Sequence, residues 1–439
     1  MAVMPAAPGH SLPPDPGGVK QPERPKLLQI MGPGLITGAS DDDPSGIATY
    51  SQAGAQLGYD LGWTLLFSWP LMCAIQEVSA RIGRVTGRGI AGNLLHHYPT
   101  WLVTLVLAGL VVANVINLGA DLGAMAAALN LVAGGPLFLY VLGFGLLTML
   151  LEVFVRYSRY VSVLKWLALS LFSYVAVALV VHVPWGLMLT RIVAPHISLD
   201  AGYLTVVVAV LGTTISPYLF FWQAEEEVDD IEERPAARPL RDDPASAPNE
   251  FRRIRIDTWI GMGLSNIVAL FIMTTAAATL HSHGITNIQT SSQAALALQP
   301  IAGRFAFELF ALGIIGTGLL AVPVLAGSTA YAIGESLHWT VGLGRRPGRA
   351  RAFYAVLCIS IVVGCAMNLI RIDPVKALFW SAVINGVAAV PIMALMMHVS
   401  ARADIMGAFV LPRVLRSVGW IATAVMAVAA VGMFATMGA

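Results

Sequence analysis

Residues 27–58 read "LLQIMGPGLITGASDDDPSGIATYSQAGAQLG". Both ends are apolar, and the length suits one bilayer crossing, for which about 20 apolar residues suffice. The middle does not suit lipid. Asp41, Asp42 and Asp43 stand in a row, and Pro44, Ser45 and Gly46 follow. An ionisable residue inside a membrane costs at least ~2.5–3.5 kcal/mol on insertion scales. Pro44 removes an amide donor and Gly46 loosens the turn. In lipid, a freed carbonyl must find a partner or line a cavity. The stretch therefore predicts a membrane helix broken at its centre, with the break facing a polar cavity.

Composition says what kind of chain surrounds it. Of 439 residues, 57% are hydrophobic and only 12% charged, against about 25% charged in soluble domains. The mean hydropathy is +0.73. A single soluble core is excluded, and an all-α polytopic membrane protein, partnered by the lipid bilayer, is expected. A net charge of +1 gives no support to a nucleic-acid partner. No Walker A motif, nucleotide fingerprint or catalytic-triad signature is present, so neither a nucleotide nor an enzyme activity is expected. Cys73, Cys358 and Cys365 lie in apolar runs without metal-ligand spacing and read as small buried hydrophobes. Residues 1–27 are rich in Pro and Gly and lack the apolar core of a secretory signal. They are expected to form a disordered cytoplasmic tail.

Eleven spans are expected, near residues 28–56, 61–83, 102–130, 136–154, 160–183, 202–224, 256–280, 305–334, 353–370, 375–399 and 414–436. With the N-terminus inside, all but Arg191, Arg304, Arg371 and Lys376 of the 26 Lys and Arg residues fall at the cytoplasmic ends. That bias is the one cytoplasmic loops show; a plasma membrane, the inner membrane of a bacterium, is the expected location. The longest hydrophilic segment, Gln223–Arg255, is then cytoplasmic; its acidic part, 225–250, reads as a solvated linker.

The sixth span, "YLTVVVAVLGTTISPYLFFWQAEEE" (203–227), repeats the anomaly: Pro217 falls near its middle, after Thr213, Thr214 and Ser216. Breaks five spans apart are the spacing of two five-helix repeats. An odd number of spans per repeat inverts the second relative to the first. Interrupted segments at matching positions of two halves point to a transporter's binding site. Spans 1–5 (28–183) and 6–10 (202–399) are accordingly expected to form a LeuT-like inverted repeat, with the eleventh span (411–439) added. No Lys or Arg lies mid-span, so the counter-charge for Asp43 is expected to be a cation supplied from outside. Asp41 and Asp42 cannot face the same cavity as Asp43 together at about 100° per residue. They are candidates to reach a hydrated ion, or else to pack against polar groups of the third or eighth span.

These residues also carry a resemblance. "GPGLITGASDDDPSGIATYSQAGAQLGYDLGW", "QEVSARIGRVTGRGIAGNLL", "DLGAMAAALNL" and "FALGIIGTGLLAVPVLAGSTAYAIGESL" resemble the NRAMP family of divalent metal transporters over about residues 28–400. The resemblance implies a LeuT-like fold and a divalent metal ion as the transported substrate, with no cofactor. It also implies a site at the two breaks, with Asp43, the Ser40 carbonyl, Gly46, Thr213 and Ser216 around the ion. Ser45 and Tyr218 stand close by, and Pro44 and Pro217 set the breaks.

The departures are informative. The family's Asp-Pro-Gly-Asn reads Asp43, Pro44, Ser45, Gly46 here, and its Met-Pro-His reads Ser216, Pro217, Tyr218. A glutamine of the tenth span aligns with Ala382, and nearby Asn385 is an alternative. Thioether sulfur favours Mn, Fe and softer ions, whereas hard Mg²⁺ wants oxygen and keeps several waters. A pocket widened at Gly46 and stripped of sulfur at Ser216 is similar to the NRAMP-related magnesium transporters, so Mg²⁺ is expected, with Mn²⁺ also carried. Of the family's relay for protons, Tyr218 replaces the histidine. Asp121 matches the first acid of the third-span pair, and Ala124 occupies the second position. Asp121 is then either a partner of the site or a structural support, and weak or absent proton coupling is expected.

A proton-coupled Mn²⁺/Fe²⁺ importer and a LeuT-fold transporter of a small organic amine or amino acid remain the alternatives. Glu77 and Glu152 are expected to pair with Arg81 and Arg156 at helical spacing, and His281 and His283 to be surface residues. The oligomeric state stays open, and a monomer is compatible with the sequence.

Overall fold

A computed structural model describes residues 33–155, 169–234, 237–370 and 373–437 of the chain. The N-terminal tail, the first part of the fifth span and Arg156 lie outside the described residues. Among those described, the secondary structure is helical, with no strand. Among the described residues, eight helices are long and apolar enough to cross a membrane, or nine if the pair Leu169–Val180 and Trp185–Val193, bent by 113°, is one span. The difference from eleven has local causes. The first span is two helices, Pro33–Asp41 and Pro44–Leu57, each too short alone. The second, Gly62–Thr86, carries Gln76, Glu77, Arg81 and Arg84, which dilute its apolar character. Large apolar side chains such as Leu139, Leu146, Phe154, Val362 and Val428 are exposed on the outer faces of the long helices. Exposed apolar surface of this extent marks a lipid-facing protein.

The helix pairs follow an inverted repeat. The second half of the first span packs on the seventh span, Ala247–Thr279. The second half of the sixth, Pro217–Glu233, packs in the same way on the second. The third span, Thr100–Ala133, and the eighth, Ala306–Ser336, pack on each other. Both half-helix contacts close through one glycine. A Cβ on Gly54 would fall 2.1 Å from the carbonyl oxygen of Met273, and one on Gly83 would fall 2.1 Å from that of Ala224. Small residues let membrane helices approach to backbone contact. Changing Gly54 to alanine is expected to cost about 1–3 kcal/mol; a thermal unfolding midpoint in detergent equal to that of the unmodified protein would refute this.

The arginine-rich end corrects one expectation. The acidic segment is not a solvated linker along its length. The sixth-span helix continues to Glu233, and the seventh starts at Ala247. Glu225 and Glu227 are buried. Arg84 of the second span, itself buried, binds Asp230 at 2.8 Å and Glu250 at 3.0 Å. Arg253 binds Glu227 and also Glu250, the latter at 2.9 Å. Glu335 accepts the amides of Gly89 and Gly92, at 2.9 and 2.8 Å, at the start of the short helix Ile90–His97. Glu227 and Asp230 are thus held in the helix by basic partners from other spans.

Glu77 pairs with Arg81 at 2.6 Å as the spacing predicts. Glu152 is buried, and neither of its carboxylate oxygens is hydrogen-bonded to a described residue; its expected partner Arg156 lies outside them. His281 and His283 are exposed; His281 lies 2.8 Å from the carbonyl of Ala55 through Nδ1. The three cysteines are free, two of them buried.

Candidate functional site

Both breaks fall where proline and polar residues place them. The first span leaves helical geometry at Asp42–Asp43 and resumes at Pro44; the sixth leaves it at Ile215–Ser216 and resumes at Pro217. Each proline thus opens a half-helix, where its fixed φ is pre-organised and its missing amide costs nothing. Asp43 is the N-cap of its half-helix, with φ −70° and ψ 173°. A carboxylate is favoured there because it accepts an otherwise unbonded amide and meets the positive end of the helix.

The two oxygens of Asp43 do different work. Oδ1 accepts the Ser45 hydroxyl at 2.6 Å and the Gly46 amide at 2.7 Å. Oδ2 accepts the Tyr218 hydroxyl at 3.1 Å and the side-chain amide of Asn117 at 3.3 Å. Asp43 is 1% exposed. The Tyr218 hydroxyl also lies 3.4 Å from the carbonyl of Ser40, so one phenol spans from the sixth helix to both candidate oxygens of the first. The site brings together Ser40, Asp43, Ser45 and Tyr218.

Ser216 has a structural duty as well. Its hydroxyl lies 2.8 Å from the carbonyls of both Gly212 and Thr213, which the break frees. Thr213 faces the first span, for a Cβ on Gly46 would lie 3.3 Å from its Oγ1 and 3.3 Å from the carbonyl of Asp41. This revises the expectation of a widened pocket at Gly46. In this conformation the space beside that glycine is taken up by Thr213, Asp41 and Tyr50.

Asp41 and Asp42 find their hydrogen-bond partner on the seventh span, not on the third or the eighth. Both meet Ser265 of the seventh span, whose hydroxyl lies 2.6 Å from Asp41 and 3.2 Å from Asp42. Asp121 is buried in the third span, close to Asp43 and to the backbone amide of Ser45. Ala382 is a packing residue of the tenth span, Pro374–Ser400. Its carbonyl lies 2.1 Å from where a Cβ on Gly212 would stand. Asn385 is buried with both amide atoms unbonded.

Sequence reasoning missed Asn117. It is fully buried, it donates to Asp43, and its Oδ1 accepts the Ser381 hydroxyl at 2.7 Å. It thereby links the first, third and tenth spans. The signal available was an amide inside an apolar run, but Asn114 one turn earlier gives the same signal and binds Ser328 and Thr329 of the eighth span instead. Among the described residues, no group of three or more His, Cys, Asp and Glu side chains is placed to hold a metal.

Two interrupted helices in an inverted repeat, meeting at a buried carboxylate, define a multi-pass membrane transporter. Residues 34–436 match the family model described as natural resistance-associated macrophage protein-like, and the chain belongs to that family, Nramp. The divalent metal cation transporter MntH of Klebsiella pneumoniae is 27% identical over 408 residues, covering 91% of this chain and 92% of that protein. MntH of Deinococcus radiodurans is 28% identical, covering 90% and 87%. The structure of the Eremococcus coleocola manganese transporter superposes with a TM-score of 0.72 at 17% identity, over 93% of this chain and 87% of that one. Mhp1, a nucleobase-cation-symport-1 family transporter, superposes at 0.52 with 14% identity, over 92% of each chain. The fold of the chain is therefore that of the Nramp and LeuT-like transporters.

Proposed function

We propose that the chain carries divalent cations across the bacterial inner membrane by alternating access around Asp43. The arginine-rich end faces the cytoplasm. Hard, partly hydrated ions, Mg²⁺ above all and Mn²⁺ with it, are the substrates. The relatives are named divalent metal cation and manganese transporters, which supports the broader class. The observation that carries the finer reading is the chemistry around the carboxylate. Each hydrogen-bond partner of Asp43 is a hydroxyl or an amide, and the sixth-span break offers Ser216. Hard cations take oxygen ligands and Mg²⁺ retains waters, whereas a thioether would favour softer ions. An inside-negative potential supplies ~2.3 kcal/mol per charge per 100 mV, doubled for a divalent ion. That drives accumulation without a proton.

Proteoliposomes test this directly. Mg²⁺ and Mn²⁺ influx should both follow an imposed potential, with internal pH constant and Mn²⁺ uptake inhibited by millimolar Mg²⁺. Mn²⁺ influx with internal acidification, insensitive to Mg²⁺, would overturn the reading in favour of a proton-coupled manganese importer. Asp121, buried in the third span beside Asp43, is the feature on that side. The double change Gly46→Asn and Ser216→Met is expected to raise the Mn²⁺-over-Mg²⁺ preference by about tenfold or more. Thr213 must shift to admit the asparagine. Initial uptake rates of the two ions in competition measure the ratio.

A further inference from the structure

We propose that Asn117 of the third span supplies the amide oxygen for the transported cation, in place of the side chain that Gly46 lacks. The inference rests on the reading that the cation binds at Asp43. In this conformation Asn117 presents the nitrogen of its amide to Asp43 Oδ2, at 3.3 Å. A cation on Oδ2 would need an oxygen there instead. The surroundings allow that exchange without stranding a polar group. Asn117 Oδ1 is held by the Ser381 hydroxyl at 2.7 Å, and the same hydroxyl lies 2.7 Å from the carbonyl of Leu378. A serine hydroxyl has one hydrogen to give, so Ser381 has a second acceptor to turn to.

Half a turn of the Asn117 amide then places Oδ1 toward Asp43 and its NH₂ toward Ser381. The Ser381 oxygen accepts from the amide, its hydrogen goes to Leu378, and the Asn117 carbonyl is free for the ion. Asn114 has no such freedom to reach the break, since its nitrogen is bound to Ser328 and Thr329, at 2.8 and 3.1 Å, against the eighth span. The oxygen gained is a hard donor, in keeping with Mg²⁺ and Mn²⁺.

Uptake kinetics of Asn117→Leu and Asn117→Asp in proteoliposomes separate a ligand from a positioning donor. Leucine keeps the volume and removes both polar atoms. Asparagine as ligand predicts that Asn117→Leu raises the KM for Mg²⁺ and Mn²⁺ by about tenfold or more. It also predicts that Asn117→Asp, which restores an oxygen, recovers a KM at or below that of the unmodified protein. A residue that merely donates an N–H to Asp43 predicts the reverse order. The aspartate would then repel Asp43 and be the worse variant. An unchanged KM in Asn117→Leu, or an Asn117→Asp variant weaker than Asn117→Leu, overturns the proposal. Size-exclusion profiles of both variants identify misfolding, and if leucine fails to fold, the KM of the aspartate variant decides alone. Parallel measurements on Asp43→Asn keep the two readings apart. Loss of uptake there with normal kinetics in both Asn117 variants removes the Asn117 assignment only, whereas normal uptake in Asp43→Asn removes the site itself.

Discussion

Changing Asp43 to alanine is expected to lower divalent-cation uptake into proteoliposomes by about a hundredfold or more, equivalent to ~2.7 kcal/mol of lost interaction. Alanine alone would leave the cause open, because Asp43 also caps a half-helix through the Gly46 amide, a contact worth about 1 kcal/mol. Asparagine resolves it. Asn caps about as well as Asp, but brings no negative charge. Asp43→Asn is therefore expected to lose uptake as completely as Asp43→Ala while unfolding near the temperature of the unmodified protein. Substantial Mg²⁺ or Mn²⁺ uptake by the asparagine variant would show that the carboxylate does not bind the cargo.

The second large effect is on stability. Arg253→Ala removes the cation bound to Glu227, whose side chain has no solvent exposure. Breaking a buried pair by deleting one member costs about 3–5 kcal/mol, because the remaining charge is buried without compensation. The thermal midpoint in detergent should fall sharply. Replacing both members with methionine should restore most of the loss, since an apolar pair replaces the buried one and Glu250, the other partner of Arg253, keeps Arg84. If the double variant is no more stable than Arg253→Ala, the pair is not the source of the loss.

The parts of this molecule written into local sequence were legible. The two breaks announce themselves because Pro44 and Pro217 stand among polar residues in apolar runs. The LeuT-like arrangement follows from their five-span separation. What depends on partners distant in the chain was not legible. Residues 225–233 look like a solvated acidic loop when read alone, but they lie in a helix where Arg84 and Arg253 reach Asp230 and Glu227. Asp41 and Asp42 find Ser265, more than 220 residues away along the chain. Asn114 and Asn117 are indistinguishable in "VVANVINLGADLG", and only the packing of the third span sends one to the eighth span and the other to Asp43. The tightness beside Gly46 is likewise a property of Thr213's placement and not of the glycine.

The N-cap has a kinetic consequence. If the cargo binds at Asp43 as proposed, Oδ1 is already committed to the start of the half-helix, one oxygen is left for the ion, and a two-oxygen grip would require the helix to give up its cap. Attachment through a single carboxylate oxygen shortens the time an ion dwells at the site. For a binding protein that would be a defect. For a carrier, which must let go of each ion before it can take the next, binding weak enough to leave is a condition of passage. On that reading, the geometry that starts the helix would set a limit on affinity and favour turnover.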